Sequence, residues 1–216
     1  MRPKMLPFTR DQFIAVFATY NAAIWPAQVL AYIAGAVALV ALFRPSPTSD
    51  RLIASVLAAM WIWTGATYHL LFFTEINRAA LGFGIVFIVQ GALFAYLGLA
   101  RGRLSFRFQA GVAGWVGLGF VAYASILYPL IGIATGHTYP ELPMFGVTPC
   151  PVTIFTLGML LLATRLPFWL LIVPTLWSLI GGSAAILLDV PQDWLLLVSG
   201  VVTIALRLQR SRTVTA

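Results

Sequence analysis

From residue 24 to residue 43 the chain carries no charged side chain, and the same is true of 52–73, 79–100, 110–135 and 167–188. A bilayer core of about 30 Å is crossed by roughly 20 apolar residues of helix. Inside that core every backbone polar group needs an internal partner, which leaves helices as the natural form of such runs. These runs therefore constrain the chain to an integral membrane protein. Composition agrees, since 9% of residues are charged and 61% hydrophobic, whereas a soluble domain carries about 25% charged residues. The expected fold class is all-α, a polytopic helical membrane bundle.

Two shorter runs, 152–164 and 194–206, complete an expected set of seven transmembrane helices. The last reaches the interface if Arg207 snorkels. The run 152–164 gives only about 20 Å of helix at 1.5 Å per residue, so charge must decide whether it crosses. With seven spans, one side holds Arg44, Arg51, Arg101, Arg103, Arg107, Arg165, Arg207, Arg210 and Arg212, and the other holds Arg2, Lys4, Arg10 and Arg78. Nine against four obeys the positive-inside rule. Without the short span the tally becomes five inside and eight outside, which inverts the rule. The expectation is that 152–164 crosses, with the N-terminus outside and a basic tail, 207–216, in the cytoplasm. A short crossing helix also draws part of 145–151 to membrane depth, where irregular backbone must be buried in protein or line a water-filled cavity.

Residues 1–23 read as a tail and an amphipathic interfacial helix. Thr9 and Gln12 have the spacing of a capping box, and Phe13, Val16, Phe17 and Tyr20 make one apolar face. Trp25–Pro26 is the expected turn into the bilayer, the alternative being one helix kinked at the proline. The basic start resembles a signal peptide, but Asp11 and Gln12 interrupt its apolar region, so no cleaved signal is expected.

Composition also excludes function classes. The net charge of +7 does not imply nucleic acid, because the basic residues are scattered at the ends of apolar runs, where orientation signals sit. The expected partner is the lipid bilayer, with a small-molecule ligand possible. A single cysteine rules out an intrachain disulfide and any Cys-x-x-Cys motif. No phosphate loop, nucleophile–base pair or dinucleotide fingerprint is present, and no span carries a charge near its centre.

The unusual polar residues gather on the outer face of this topology. They are His69 near the end of the second span, Glu75, Asn77 and Arg78 in the following turn, His137, Tyr139, Glu141 and Cys150 between the fourth and fifth spans, and Asp189 and Asp193 flanking the turn between the sixth and seventh. Histidine beside carboxylate can bind a metal or relay a proton, and a His69–His137 pair with Cys150 or Glu141 would suit zinc or copper. Loops are also where polar residues cost least, and no pair has a diagnostic metal spacing, so metal and cofactor stay unassigned. Cys150, between Pro149 and Pro151, sits where a helix begins; a rigid helix entry with a small packed residue explains it better than a reactive thiol does, since a free cysteine is commonly just packing. Thr74 can cap the third span, placing Glu75 in its first turn near Arg78. Gln90 is expected to bond between helices, and Gly84, Gly91 and Gly98, spaced by seven, to let helices approach closely.

The stretches "PFTRDQFIAVFATYNAAIWPAQ" and "HTYPELPMFGVTPCPVTIFTLG" resemble a family of small bacterial multipass membrane proteins classed as a domain of unknown function. The resemblance covers most of the chain and implies a bacterial inner-membrane protein. It implies no activity and assigns no role to a residue. Three functions fit: small-solute transport or ligand binding through an outward-facing pocket lined by His69, Glu75, Arg78, His137, Tyr139, Glu141 and Cys150; a membrane metalloprotein or enzyme using the same groups; or a non-catalytic accessory subunit.

Overall fold

The computed structural model describes residues 6–215, with side chains to Arg210; Arg2, Lys4 and the Arg212 side chain, counted in the charge balance above, lie outside the described residues. The chain is helical almost throughout. Its elements are α1 (Arg10–Ala23), α2 (Ala27–Leu42), α3 (Pro47–Trp63), α4 (Ala80–Ala95), α5 (Val112–Ala122), α6 (Tyr128–Ala134), α7 (Pro149–Leu161), α8 (Ile172–Leu188) and α9 (Trp194–Thr215), with short strands β1 (Ser105–Phe106) and β2 (Ala163–Arg165). Several helices continue through wider or tighter turns, so five continuous stretches are long and apolar enough to cross a membrane: Pro47–Glu75, Ala80–Ala100, Val112–Ala134, Phe168–Leu188 and Pro191–Arg210.

α1 begins as its residues dictate. The Thr9 hydroxyl accepts from the Gln12 amide at 3.2 Å, and Gln12 Oε1 accepts from the Thr9 amide at 2.8 Å, a complete capping box. Val16, Phe17 and Tyr20 are buried along one face. α1 and α2 meet at 87° across the Trp25–Pro26 break. At the start of α4 the cap differs from expectation: the Asn77 side chain accepts from the Ala79 amide at 3.1 Å, while Thr74 donates back to the Leu70 carbonyl at 2.9 Å. The helix of α3 persists through Glu75 as a single 3₁₀ turn, which holds Thr74 on the preceding element.

α7 is the centre of the bundle. Every residue from Pro149 to Leu161 is buried. Trp61 of α3 donates to Thr156 of α7 at 2.9 Å, and α5 meets α7 backbone to backbone. A Cβ at Gly158 would lie 2.7 Å from the Gly117 carbonyl oxygen, and one at Gly117 would lie 2.9 Å from that of Gly158. The seven-residue glycine series of α4 packs on α3 in the same way: a Cβ at Gly91 would meet the Ala58 carbonyl oxygen at 2.8 Å. Gln90 donates to the Leu170 carbonyl at 3.1 Å, satisfying an amide that apolar surroundings would otherwise penalise.

Hydrogen bonds sort the connections into two ends. At one, β1 pairs antiparallel with β2, Asp50 accepts from Ser105 and the Phe106 amide at 2.8 and 2.7 Å, and Arg207 donates to the Ala163 carbonyl at 2.7 Å. At the other, Tyr20 donates to the Val147 carbonyl at 2.6 Å, Asn21 to the carbonyls of Pro140 and Leu142 at 2.7 and 2.6 Å, and Tyr123 to that of Gln192 at 2.8 Å. α7 starts at this second end and finishes at the first, the β1–β2 end. Thirteen residues suffice because the irregular segments on both sides are folded into the bundle.

Candidate functional site

The segment 135–148 forms a cap over the end of the bundle where α7 starts. Apolar anchors hold it: Leu142, Phe145 and Val147 are buried, and the Phe145 ring reaches so deep that a Cβ at Gly35 would lie 2.5 Å from it. Asn21 supplies the polar half of the anchoring, donating to two cap carbonyls that would otherwise be buried without a partner. On the cap's rim, Arg10 lies 3.4 Å from His137 Nε2, Tyr139 donates to the Asn21 carbonyl at 3.2 Å, and Glu141 is exposed.

Beneath and beside this cap lies a cavity of about 340 Å³, walled by Leu6, Phe8 and Phe13 around the start of α1, by the turns between α3 and α4, by the starts of α4 and α7, by the second half of α8 and by the turn before α9. Its surface is overwhelmingly apolar and aromatic. The polar exception is a cluster assembled from four elements. Cys150 is the second residue of α7, fixed there by Pro149 and Pro151. Asp193 ends the 3₁₀ turn Pro191–Asp193 before α9 and is 2% exposed. The thiol faces the Asp193 carboxylate, and the Tyr128 hydroxyl donates a short hydrogen bond to Asp193 Oδ1. The Tyr68 hydroxyl, buried and within electrostatic reach of Cys150 and Asp193, has no hydrogen-bond partner. Cys150, Asp193 and Tyr68 all line the cavity, as does Trp177, whose indole N–H also lacks a partner.

Two π-helical turns make this arrangement possible. In the turn Tyr123–Leu127 between α5 and α6, residues five apart share a face, a geometry common at functional sites. Tyr123 and Tyr128 consequently both grip the 191–193 turn, one through the Gln192 carbonyl and the other through the Asp193 side chain. In the turn Thr64–Phe72, Tyr68 and Phe73 come to stack with ring centroids 5.6 Å apart, forming one cavity wall.

Of the polar residues named from the sequence, Asn77, Cys150 and Asp193 lie on the cavity wall. His69 is buried behind that wall, its ring 4.7 Å from Phe87, 5.1 Å from Trp177 and 5.2 Å from Tyr68. Neither of its nitrogens has a hydrogen-bond partner, so no Cys–His pair is formed. Glu75 and Arg78 are exposed on the turn before α4, with Glu75 bordering a separate shallow groove against α1. His137, Tyr139 and Glu141 stay on the cap. Among the described residues no three His, Cys, Asp or Glu side chains gather as metal ligands. The sequence places Asp193, with Asp189, only among the outer polar residues flanking the turn before the last span, and does not single out Tyr128. The available signal was an aspartate at the head of an apolar run, in "PQDWLLLVSG", where burial rather than a solvated turn was the outcome.

No curated protein and no solved structure gives a significant match to the chain. A family model does, over residues 10–216, and the chain accordingly belongs to the family of unknown function designated DUF6064.

Proposed function

We propose that this is a multipass inner-membrane protein that binds a small amphiphilic molecule in its outward-facing cavity. The observation that carries the reading is the cavity itself: about 340 Å³ of apolar space with a compact polar cluster at one place on its wall. Ligand sites are characteristically concave, mostly apolar and equipped with a few convergent polar groups. The Tyr68 hydroxyl, buried without a partner, is costly to leave so, and a bound polar group would repay that cost. The lining residues Ile180 and Leu187 are about half exposed, at 48% and 49%, on the apolar flank of α8. A ligand would enter there laterally, from the outer half of the bilayer.

The membrane arrangement belongs to the same proposal. α1 lies at the outer interface, α2 to α9 supply seven crossings with α5 and α6 as one, and the β1–β2 end faces the cytoplasm. Support comes from charge. The β1–β2 end carries Arg44, Arg51, Arg101, Arg103, Arg107, Arg165, Arg207 and Arg210, against Arg10 and Arg78 among the described residues of the other end, in the sense of the positive-inside rule.

The binding test is thermal. A ligand specific to the folded state stabilises it by about 2.7 kcal/mol at a hundredfold excess over Kd. Titrating 1-decanol into the purified protein should raise its Tm saturably, and Ala184→Trp, which places an indole in the cavity, should remove the response. A Tm that decanol leaves unchanged, or shifts equally in both proteins, contradicts ligand binding in this cavity.

A further inference from the structure

The chemistry of the cavity wall goes further than an amphiphile of unspecified charge. We propose that the ligand is a lipophilic organic cation, a substituted ammonium held among aromatic faces with Asp193 as its counter-ion. This rests on the reading of the cavity as a binding site.

Three observations point to that head group. Six aromatic side chains line the cavity, namely Phe8, Phe13, Tyr68, Phe73, Phe83 and Trp177. Their mutual geometry is a box rather than a flat stack: Phe8 meets Phe73 edge-on at 72° and Phe83 meets Trp177 at 75°, while Tyr68 and Phe73 are nearly parallel at 20°. An aromatic enclosure of this kind recognises quaternary ammonium groups through the ring quadrupoles, and the attraction grows when the site excludes water. Second, Asp193 is the one ionisable acidic or basic residue, apart from the Cys150 thiol and the Tyr68 phenol, among the described residues that line the cavity. Its hydrogen-bonding partners, Tyr128 and Cys150, are neutral donors. Buried carboxylates are ordinarily matched by a positive charge; no arginine or lysine among the described lining residues supplies one, and a cationic ligand would. Third, the unpartnered Tyr68 hydroxyl, on the same cavity wall as Cys150 and Asp193, offers an oxygen that an ammonium bearing a proton can bond. An anionic head group would meet a carboxylate and ring faces of the same sign.

A pair of ligands of equal shape separates charge from bulk. Benzyltrimethylammonium and neopentylbenzene differ by one nitrogen in place of a quaternary carbon. Each is titrated into the purified protein and the concentration giving half the maximal Tm rise is read. The cation should act at a concentration at least about tenfold lower, equivalent to about 1.4 kcal/mol. Asp193→Asn, which keeps an acceptor for Tyr128, should bring the two ligands to equal potency while leaving neopentylbenzene unaffected. Should Asp193→Asn fail to fold, Ser183→Lys serves instead: Ser183 is exposed at the cavity rim, and a resident ammonium there should weaken the cation alone. Equal potency in the wild-type protein, or retained preference in the variants, overturns the cation proposal while ligand binding stands. Stabilisation by neither ligand, nor by decanol, removes the binding reading as well.

Discussion

Asp193 shows how much a single buried side chain depends on its neighbours. Its carboxylate takes a hydrogen bond from Tyr128 and faces the Cys150 thiol, so removing a donor leaves charge or polarity buried without compensation. Tyr128→Phe should therefore lower stability by about 1–3 kcal/mol, read as a fall in Tm of the purified protein, whereas Tyr139→Phe, a half-exposed bond on the cap's rim, should change it little. Equal Tm values for the two variants would contradict the role given to Asp193. Asn21 makes the complementary case outside the cavity. It alone donates to both Pro140 and Leu142 carbonyls, and Asn21→Ala should loosen the cap, seen as faster proteolysis within 136–141. Capping chemistry and apolar faces at this scale, Thr9 with Gln12 or Phe17 with Tyr20, were legible in the sequence because they depend on neighbours a few residues away. The direction of His69 was not. An aromatic cage contributed by α4 and α8, elements distant in sequence, decides that it faces inward.

α7 is the element whose position was most open to reading from sequence. Its thirteen residues are too few for an ordinary span, although charge counting favours a crossing there; in the structure α7 runs from the cap end to the β1–β2 end. What sequence could not show is why so short a helix suffices: it is surrounded by protein and meets α5 at the Gly117–Gly158 contact. Gly158→Val should force the two backbones apart and cost at least about 1–3 kcal/mol, the usual range for overpacking; Gly119→Val, with open space around it, should be nearly neutral. A Tm for Gly158→Val equal to that of the parent would deny the close approach. The π-helical turns lay beyond sequence reading for a physical reason. Tyr123–Leu127 is apolar and helix-compatible in any register; the extra residue per turn is selected by Tyr123 and Tyr128 both finding partners on the 191–193 turn.

At the scale of the whole molecule, the two ends differ in kind. One is basic and stitched by the β1–β2 pair; the other is a cap with an apolar cavity beside it. If the β1–β2 end is cytoplasmic, Thr138→Cys in a Cys150→Ser background should react with an impermeant maleimide on intact cells, and Thr164→Cys only after permeabilisation, both positions being exposed. Labelling of both from one side would contradict the passage of α7 across the bilayer. The helical fold, with apolar stretches long enough to cross a membrane, was legible because long uncharged runs satisfy their backbone polar groups as helices. The cavity was not, since its walls come from segments scattered between Leu6 and Asp193 and its shape depends on how they pack.

Cys150 gives the most direct test, because it is the one thiol in the chain and lies on the cavity wall. The measurement is the rate at which N-ethylmaleimide modifies it in native membranes, set against the rate for Leu160→Cys in Cys150→Ser, a site equally enclosed in α7 but away from the cavity. A cavity open to the outer half of the bilayer predicts modification of Cys150 at least about tenfold faster than the control, slowed by Ala184→Trp in the manner expected of an accessible rather than a packed thiol. Equal rates for the two thiols, or a Cys150 rate indifferent to Ala184→Trp, would contradict a ligand-accessible cavity.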